Sequence, residues 1–163
     1  MKRRVMKLLA SCAMFLCIHS WAAESTSSIM ISGAYARETV PGQEVGAVYM
    51  TIENKGDQPE RLVRASSPIA DDVMLHSTRM AQGMSSMQHM PTIEIPAHGK
   101  VELKPGSYHL MLDNLHQPLK AGDSIAVNLD FRHAGTMHLQ VPVKALMTMD
   151  ENTGHDGMNM MMH

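Results

Sequence analysis

Between Ser124 and Phe131 every second residue is apolar: Ile125, Val127, Leu129 and Phe131 alternate with Ala126, Asn128 and Asp130. The same period returns at Met137, Leu139 and Val141, and again at Val48, Met50 and Ile52. A helix repeats its apolar stripe about every 3.6 residues, whereas a strand buried on one face repeats it every two. These segments are therefore expected to be half-buried strands. Shorter candidates are Ile29–Ile31, Arg61–Ala65, Val73–His76, Thr92–Ile95, Val101–Leu103 and Tyr108–Leu112. Between them stand turn-forming pairs and clusters: Pro41-Gly42, Asn54-Lys55-Gly56-Asp57, Pro96–Gly99, Pro105-Gly106, Ala121-Gly122 and Ala134-Gly135. Many short strands with frequent turns predict an all-β fold, a β-sandwich or barrel. No helix of ten residues or more and no internal repeat is evident.

The two ends stand apart from this pattern. Lys2, Arg3, Arg4 and Lys7 precede an apolar run from Leu8 to Ile18, and Ser20-Trp21-Ala22 offers small residues for cleavage. Residues 1–22 thus read as a cleaved secretory signal, too short for an ordinary spanning helix. Leu9-Ala10-Ser11-Cys12 resembles a lipoprotein processing box, but almost no hydrophobic stretch precedes Cys12, so that reading is discounted. Cleavage after Ala22 removes both cysteines, the only tryptophan and four of 14 basic residues; with 16 acids kept, the formal charge moves from −2 to −6. The expected product is periplasmic, acidic and free of thiols, with no stable membrane insertion and no affinity for nucleic acid. Residues 23–146 are long enough for one domain with a true core of Val, Ile, Leu and some Met. From Met147 onward Met and His lie among Asp, Asn and Gly with no apolar face, so 147–163 reads as a flexible Met/His-rich tail.

With no cysteine left, the chemistry rests on Met and His. His76, Met87, His109 and Met111 are separated by ten, twenty-one and one residues. Two imidazoles and two thioethers are a poor donor set for Mg or Ca and an unusual one for Zn, but suit Cu(I), a soft ion. On a strand, residues i and i+2 share a face. Tyr108, Leu110 and Leu112 then point toward the core, and His109 and Met111 point together the other way. Val73 and Leu75 separate likewise from Met74 and His76. Met87 falls in Gln82–Gln88, which reads as a loop or hairpin able to fold over the site. Given the Met and His content, this spacing would arise by chance in roughly one such chain in a few hundred. Met74, Met80, Met84, His89 and Met90 crowd the same region, as an outer shell or simply as a metal-free loop. His98, His116, His133 and His138 read as surface residues. In the tail, His155, Met158, Met160, Met161, Met162 and His163 form a candidate secondary site for a second copper, Cu(I) or Cu(II).

The four-residue pattern, H-x10-M-x21-H-x-M, resembles the signature of the periplasmic PCuAC copper chaperones. So do Gly46–Asn54, Pro105–Leu112 and Pro118–Asp123, and the resemblance runs from about Ala34 to Val143. It implies a cupredoxin-like Greek-key β-sandwich over 23–146, binding one Cu(I) near its surface through His76, Met87, His109 and Met111. It also implies delivery of copper to the dinuclear centre of cytochrome c oxidase or a related respiratory oxidase. The implied partners are a copper-accepting oxidase subunit or another copper chaperone, and the expected state is a monomer, with a copper-bridged dimer as the alternative. The Met/His-rich tail departs from the family core. The competing reading is a copper-buffering or resistance protein that sequesters the metal without a dedicated acceptor; a metal-free adhesion or assembly module is a third. A blue-copper electron carrier would need a cysteine ligand. No nucleophile motif points to an enzyme.

Overall fold

A computed structural model describes residues 28–81 and 84–145. Ten strands occur there: β1 (Ile29–Arg37), β2 (Gly46–Asn54), β3 (Glu60–Ser66), β4 (Ala70–Ala81), β5 (Met84–His89), β6 (Ile93–Ile95), β7 (Gly99–Leu103), β8 (Tyr108–Leu115), β9 (Ser124–Phe131) and β10 (Gly135–Lys144). No helix is present among the described residues. The leader (1–22) and the tail (147–163), with the candidate tail residues named above, lie outside them.

The strands follow the order β5-β4-β8-β7-β2-β1-β10-β9-β3-β6, and β8 also pairs with β2. The ribbon folds into two layers, joined where β1 runs parallel to β10 at Ala36↔Val143 and Arg37↔Lys144. Consecutive strands cross between layers, as from β2 to β3, β3 to β4 and β8 to β9, which makes the expected cupredoxin-like Greek-key sandwich. Between the layers lie Val48, Ile52, Leu75, Leu110 and Leu112 from one sheet, and Leu62, Ile95, Val127, Leu129 and Val141 from the other. The period-two segments behave as anticipated: Ile125, Val127, Leu129 and Phe131 are all buried while the residues between them are more exposed.

Several strands exceed their sequence-based bounds, β1 and β4 by the most. β1 continues through Gly33 (φ +61), where its register against β2 shifts between Ser32 and Tyr35, a bulge that glycine permits. β4 runs twelve residues because its second half pairs with β5 rather than with the core. Of the loop and hairpin readings of Gln82–Gln88, the pairing of β5 with β4 is the hairpin. Met84–His89 is exposed throughout, so no apolar alternation marks it, and backbone pairing with β4 makes it a strand.

Two buried polar side chains brace one end of the sandwich. Asn54 donates to the carbonyls of Gln58 (2.8 Å) and Ile95 (3.3 Å), and its Oδ1 accepts from Gly56 N (2.9 Å). The Glu60 carboxylate accepts from the backbone N–H groups of Arg61 (2.7 Å), His133 (3.1 Å) and Ala134 (2.8 Å). Burial pushes this carboxyl upward, but those N–H groups and His133 outweigh it and hold it below the usual carboxylate range. Its stabilising contribution is thus present above the unfolded value and is lost as pH falls through the lower folded one. Glu60→Gln is expected to lower stability at pH 7 by about 1–3 kcal/mol in urea unfolding, leaving buried N–H donors poorly matched. The gap between variant and parent should narrow as pH falls below the ordinary carboxylate range and through the parent's lowered folded value, where its carboxyl becomes protonated.

Candidate metal centre

The register of three strands assembles the site. β4 and β8 pair antiparallel with Met74 opposite Met111 and His76 opposite His109. On the other side of β4, His76 stands opposite His89 and Thr78 opposite Met87. Opposite residues share a face, and so do residues two apart along a strand. Met74, His76, Met87, His89, His109 and Met111 therefore all lie on the outer face of one sheet, turned away from Leu75, Leu110 and Leu112 beneath. Met90 is packed against the core instead, and by alternation Met84 belongs to the opposite face from Met87. Met80 belongs to a stretch whose side chains are not described.

Five rings cross this face in one row. Tyr35 and Tyr49 lie with centroids 5.2 Å apart, Tyr49 and His109 6.4 Å, His109 and His76 5.8 Å, and His76 and His89 5.8 Å. His109, flanked by Tyr49 and His76, is only 7% exposed. Burial raises the Tyr49 phenol above its ordinary value, which keeps that neighbour uncharged. The Pro105-Gly106 turn, closed by Ser107 N to Lys104 O (3.0 Å) with Gly106 at φ +78, places the Ser107 carbonyl 3.2 Å from His109 Nδ1. A carbonyl can only accept, so His109 carries its proton on Nδ1 and presents the Nε2 lone pair outward.

His76 differs. Its Nδ1 is buried and has no hydrogen-bond partner. A buried polar atom without a partner costs free energy unless something else satisfies it. Desolvation pushes the His76 pKa below 6.5, helped by His109 and His89 and opposed by Asp113. The ring is thus held neutral, the form that binds metal. Two imidazoles that share one ion at about 2 Å each can have centroids no more than about 6.5 Å apart. The 5.8 Å between His76 and His109 lies within that reach.

Met87, His109 and Met111 line one open cavity of about 390 Å³ with Tyr49, Thr78 and Gly106. His76 is outside its lining and joins the group only through its ring contact with His109. Met87 is 59% exposed on the edge strand, at the rim. Among the described residues no three His, Cys, Asp or Glu side chains converge to hold an ion, so a site here must draw on thioethers. The sequence pattern thus brings together His76, His109 and Met111 closely and Met87 more loosely. Met74 and His89, named from sequence only as neighbours, turn out to occupy paired positions in the same array. The exposed His98, His116 and His138 hydrogen-bond to Asp57, Asp71 and Asn128 respectively, each remote from this face in the pairing.

Comparison with known proteins gives consistent results. The family model described as "Putative lipoprotein LpqE-like" matches residues 29–143. "Putative lipoprotein Lxx21020" of Leifsonia xyli subsp. xyli is 32% identical over 130 residues, covering 79% of this chain and 77% of its own. The solution structure of CuI-DR1885 from Deinococcus radiodurans is 34% identical with a TM-score of 0.60, covering 75% of this chain and 81% of that one. The copper-bound PCuAC domain from PmoF2 superimposes with a TM-score of 0.64 at 24% identity, covering 73% of this chain and 94% of that domain, a likeness of fold.

The desolvated imidazole yields a direct test. His76 is expected to titrate below pH 6.5, followed through its ring resonances by NMR. Because the folded state prefers the neutral ring, protonation opposes folding, and stability falls as pH drops from the unfolded value through the lower folded one. Titration at or above 6.5 would show that the ring is solvated or charge-paired instead.

Proposed function

The chain belongs to the LpqE-like family, of PCuAC type, and from that premise we propose that it is a copper chaperone that binds Cu(I) through His76, Met87, His109 and Met111 and hands it to a respiratory oxidase. The observation that carries this reading is the cross-strand pair His76–His109, with the His76 Nδ1 unpartnered and thioethers on the same face. The copper named for DR1885 and for PmoF2 supports the same reading. Membership of a lipoprotein family fits an exported protein of the cell envelope.

The donor set explains how binding and release coexist. Neutral imidazole and thioether suit soft Cu(I) without the charge of a thiolate. His76 and His109 are held by the sheet and, for His109, by Ser107, so little ordering is needed to bind. Met87 and Met111 face an open cavity, which leaves a side from which an acceptor's Cys or His can approach. Exchange then proceeds one ligand at a time. Acid opposes binding because each ligating imidazole must be neutral; the lowered pKa of His76 postpones that competition to more acidic pH. The dinuclear centre of cytochrome c oxidase is the acceptor we favour, on the family resemblance.

A second reading, sequestration without an acceptor, is favoured by the Met/His-rich tail, where His155, Met158, Met160, Met161, Met162 and His163 offer a secondary site. Anaerobic Cu(I) competition titration is expected to show that a chain ending at Leu146 still binds one Cu(I). The His109→Ala/Met111→Ala double variant should lose at least about 100-fold in affinity, beyond the roughly 10–100-fold typical of disturbing an outer-shell partner. Equal binding by variant and parent would move the copper to the tail and make sequestration the better account. Transfer of Cu(I) from the loaded protein to an isolated oxidase copper domain, with a respiratory defect on deletion, is the outcome expected of a chaperone. Copper sensitivity without transfer is the outcome expected of a buffer.

A further inference from the structure

His76 has two imidazole neighbours, and they are geometrically alike. His109 on one side and His89 on the other each lie 5.8 Å away, each with its ring at 86° to that of His76. Both separations are within the reach of two imidazoles on one ion. Yet no three such groups converge on a point, because His89 and His109 flank His76 from opposite strands. The row therefore offers two alternative pairs that share His76. It is also graded: His89 is exposed on the edge strand, His76 is half-buried and His109 is buried. Met87 shares the face of His89 on β5 and also lines the cavity of His109 and Met111. Its long unbranched side chain suits it to either pair.

We propose that Cu(I) occupies two positions around His76, an inner one completed by His109 and Met111 and an outer one completed by His89, and that His89 is the ligand through which copper is loaded and released. The proposal rests on the chaperone reading above. A neutral imidazole has one lone pair, its other nitrogen carrying hydrogen, so His76 serves one ion at a time and the face holds one copper rather than two. The ion keeps His76 and Met87 throughout and exchanges His89 for His109 and Met111. Every ligand exchanged is neutral, so no charge develops in the half-buried row. His89 acts on the rate of exchange more than on the final affinity, because the inner position does not include it.

The experiment uses the exported form of the protein with its tail and Cu(I) supplied anaerobically. Ring nitrogen resonances of His76, His89 and His109, assigned from single-residue variants, are followed during substoichiometric addition. Uptake, and loss to a bidentate Cu(I) chelator, are timed for the parent, His89→Ala and His89→Met. All three rings are expected to shift. His89→Ala should slow uptake and loss by a common factor on the order of tenfold, about 1.4 kcal/mol of barrier. Its equilibrium affinity should stay within about threefold of the parent. His89→Met, which restores a soft neutral donor, should recover most of the rate. If the His109 ring shifts and the His89 ring does not, or if His89→Ala exchanges copper at the parental rate, the outer position is overturned while the four-ligand site stands. Faster loss with weaker affinity in His89→Ala would overturn it too, making His89 a ligand of the resting site. If none of the three rings responds, the chaperone site itself fails, and this proposal with it.

Discussion

The antiparallel pairing of β4 with β8 is the constraint on which the site depends. It sets His76 against His109 and Met74 against Met111 on one face, and Leu75 against Leu110 and Val73 against Leu112 on the other. Because side chains alternate, slipping either strand by one residue would send its imidazole into the core and a leucine into solvent. Leu110 and Leu112 are fully buried, so the hydrophobic effect that fixes the core also fixes the register of the metal-facing residues. Burying a leucine side chain is worth about 1.5–3 kcal/mol, and several leucines and valines act together here. The imidazoles need contribute nothing to folding in order to be held in place. That matters, because His76 in the metal-free protein has an unpartnered nitrogen and subtracts from stability.

The second constraint lies across the sheet. Gly46 lets the start of β2 approach closely, since a Cβ there would meet Leu112, Leu115 and Leu119 side chains at 3.2–3.3 Å. That approach sets Ala47 against Met111 and brings Tyr49 alongside His109. The Pro105-Gly106 turn then supplies the carbonyl that fixes the His109 tautomer. Orientation of the metal-facing ring thus comes from backbone and from an apolar neighbour, with no charged group needed at the ligand.

Much of this was legible in the sequence because period two and residue type carry it. The alternation of β9 and β2 marked both strands, and His109-Leu110-Met111 announced a core residue between two outward ones. The spacing of His76, Met87, His109 and Met111, taken together, carried a resemblance strong enough to name the family. Other parts left no local mark. β5 has no buried residue, so nothing in Met84–His89 distinguishes a strand from a polar loop; only the partner strand makes it one. The partnership of His76 with His89 depends on hairpin register, which spacing alone does not fix. Glu60 reads as one more surface acid at the head of a strand. Its burial is decided by the Arg132–Gly135 turn, seventy residues away, folding its amides onto the carboxylate.

The same absence of burial on β5 has a functional side. Edge strands without apolar anchoring are the parts of a sheet that open most easily, because only exposed backbone hydrogen bonds hold them. Here that strand carries Met87 and His89, while β8, at the centre of its sheet and anchored by Leu110, Leu112 and Leu115, carries His109 and Met111. Polar Ser85, Ser86 and Gln88 also make β5 a poor template for adding a foreign strand, which an open edge otherwise invites. Ligands on a firmly held strand define the destination of the metal. Ligands on a loosely held one can move toward an acceptor without disturbing the core. An array with all its donors on buried strands would bind more rigidly but would release only by breaking the sandwich. Dividing the donors between a central strand and an edge lets one small domain hold copper and still let it go.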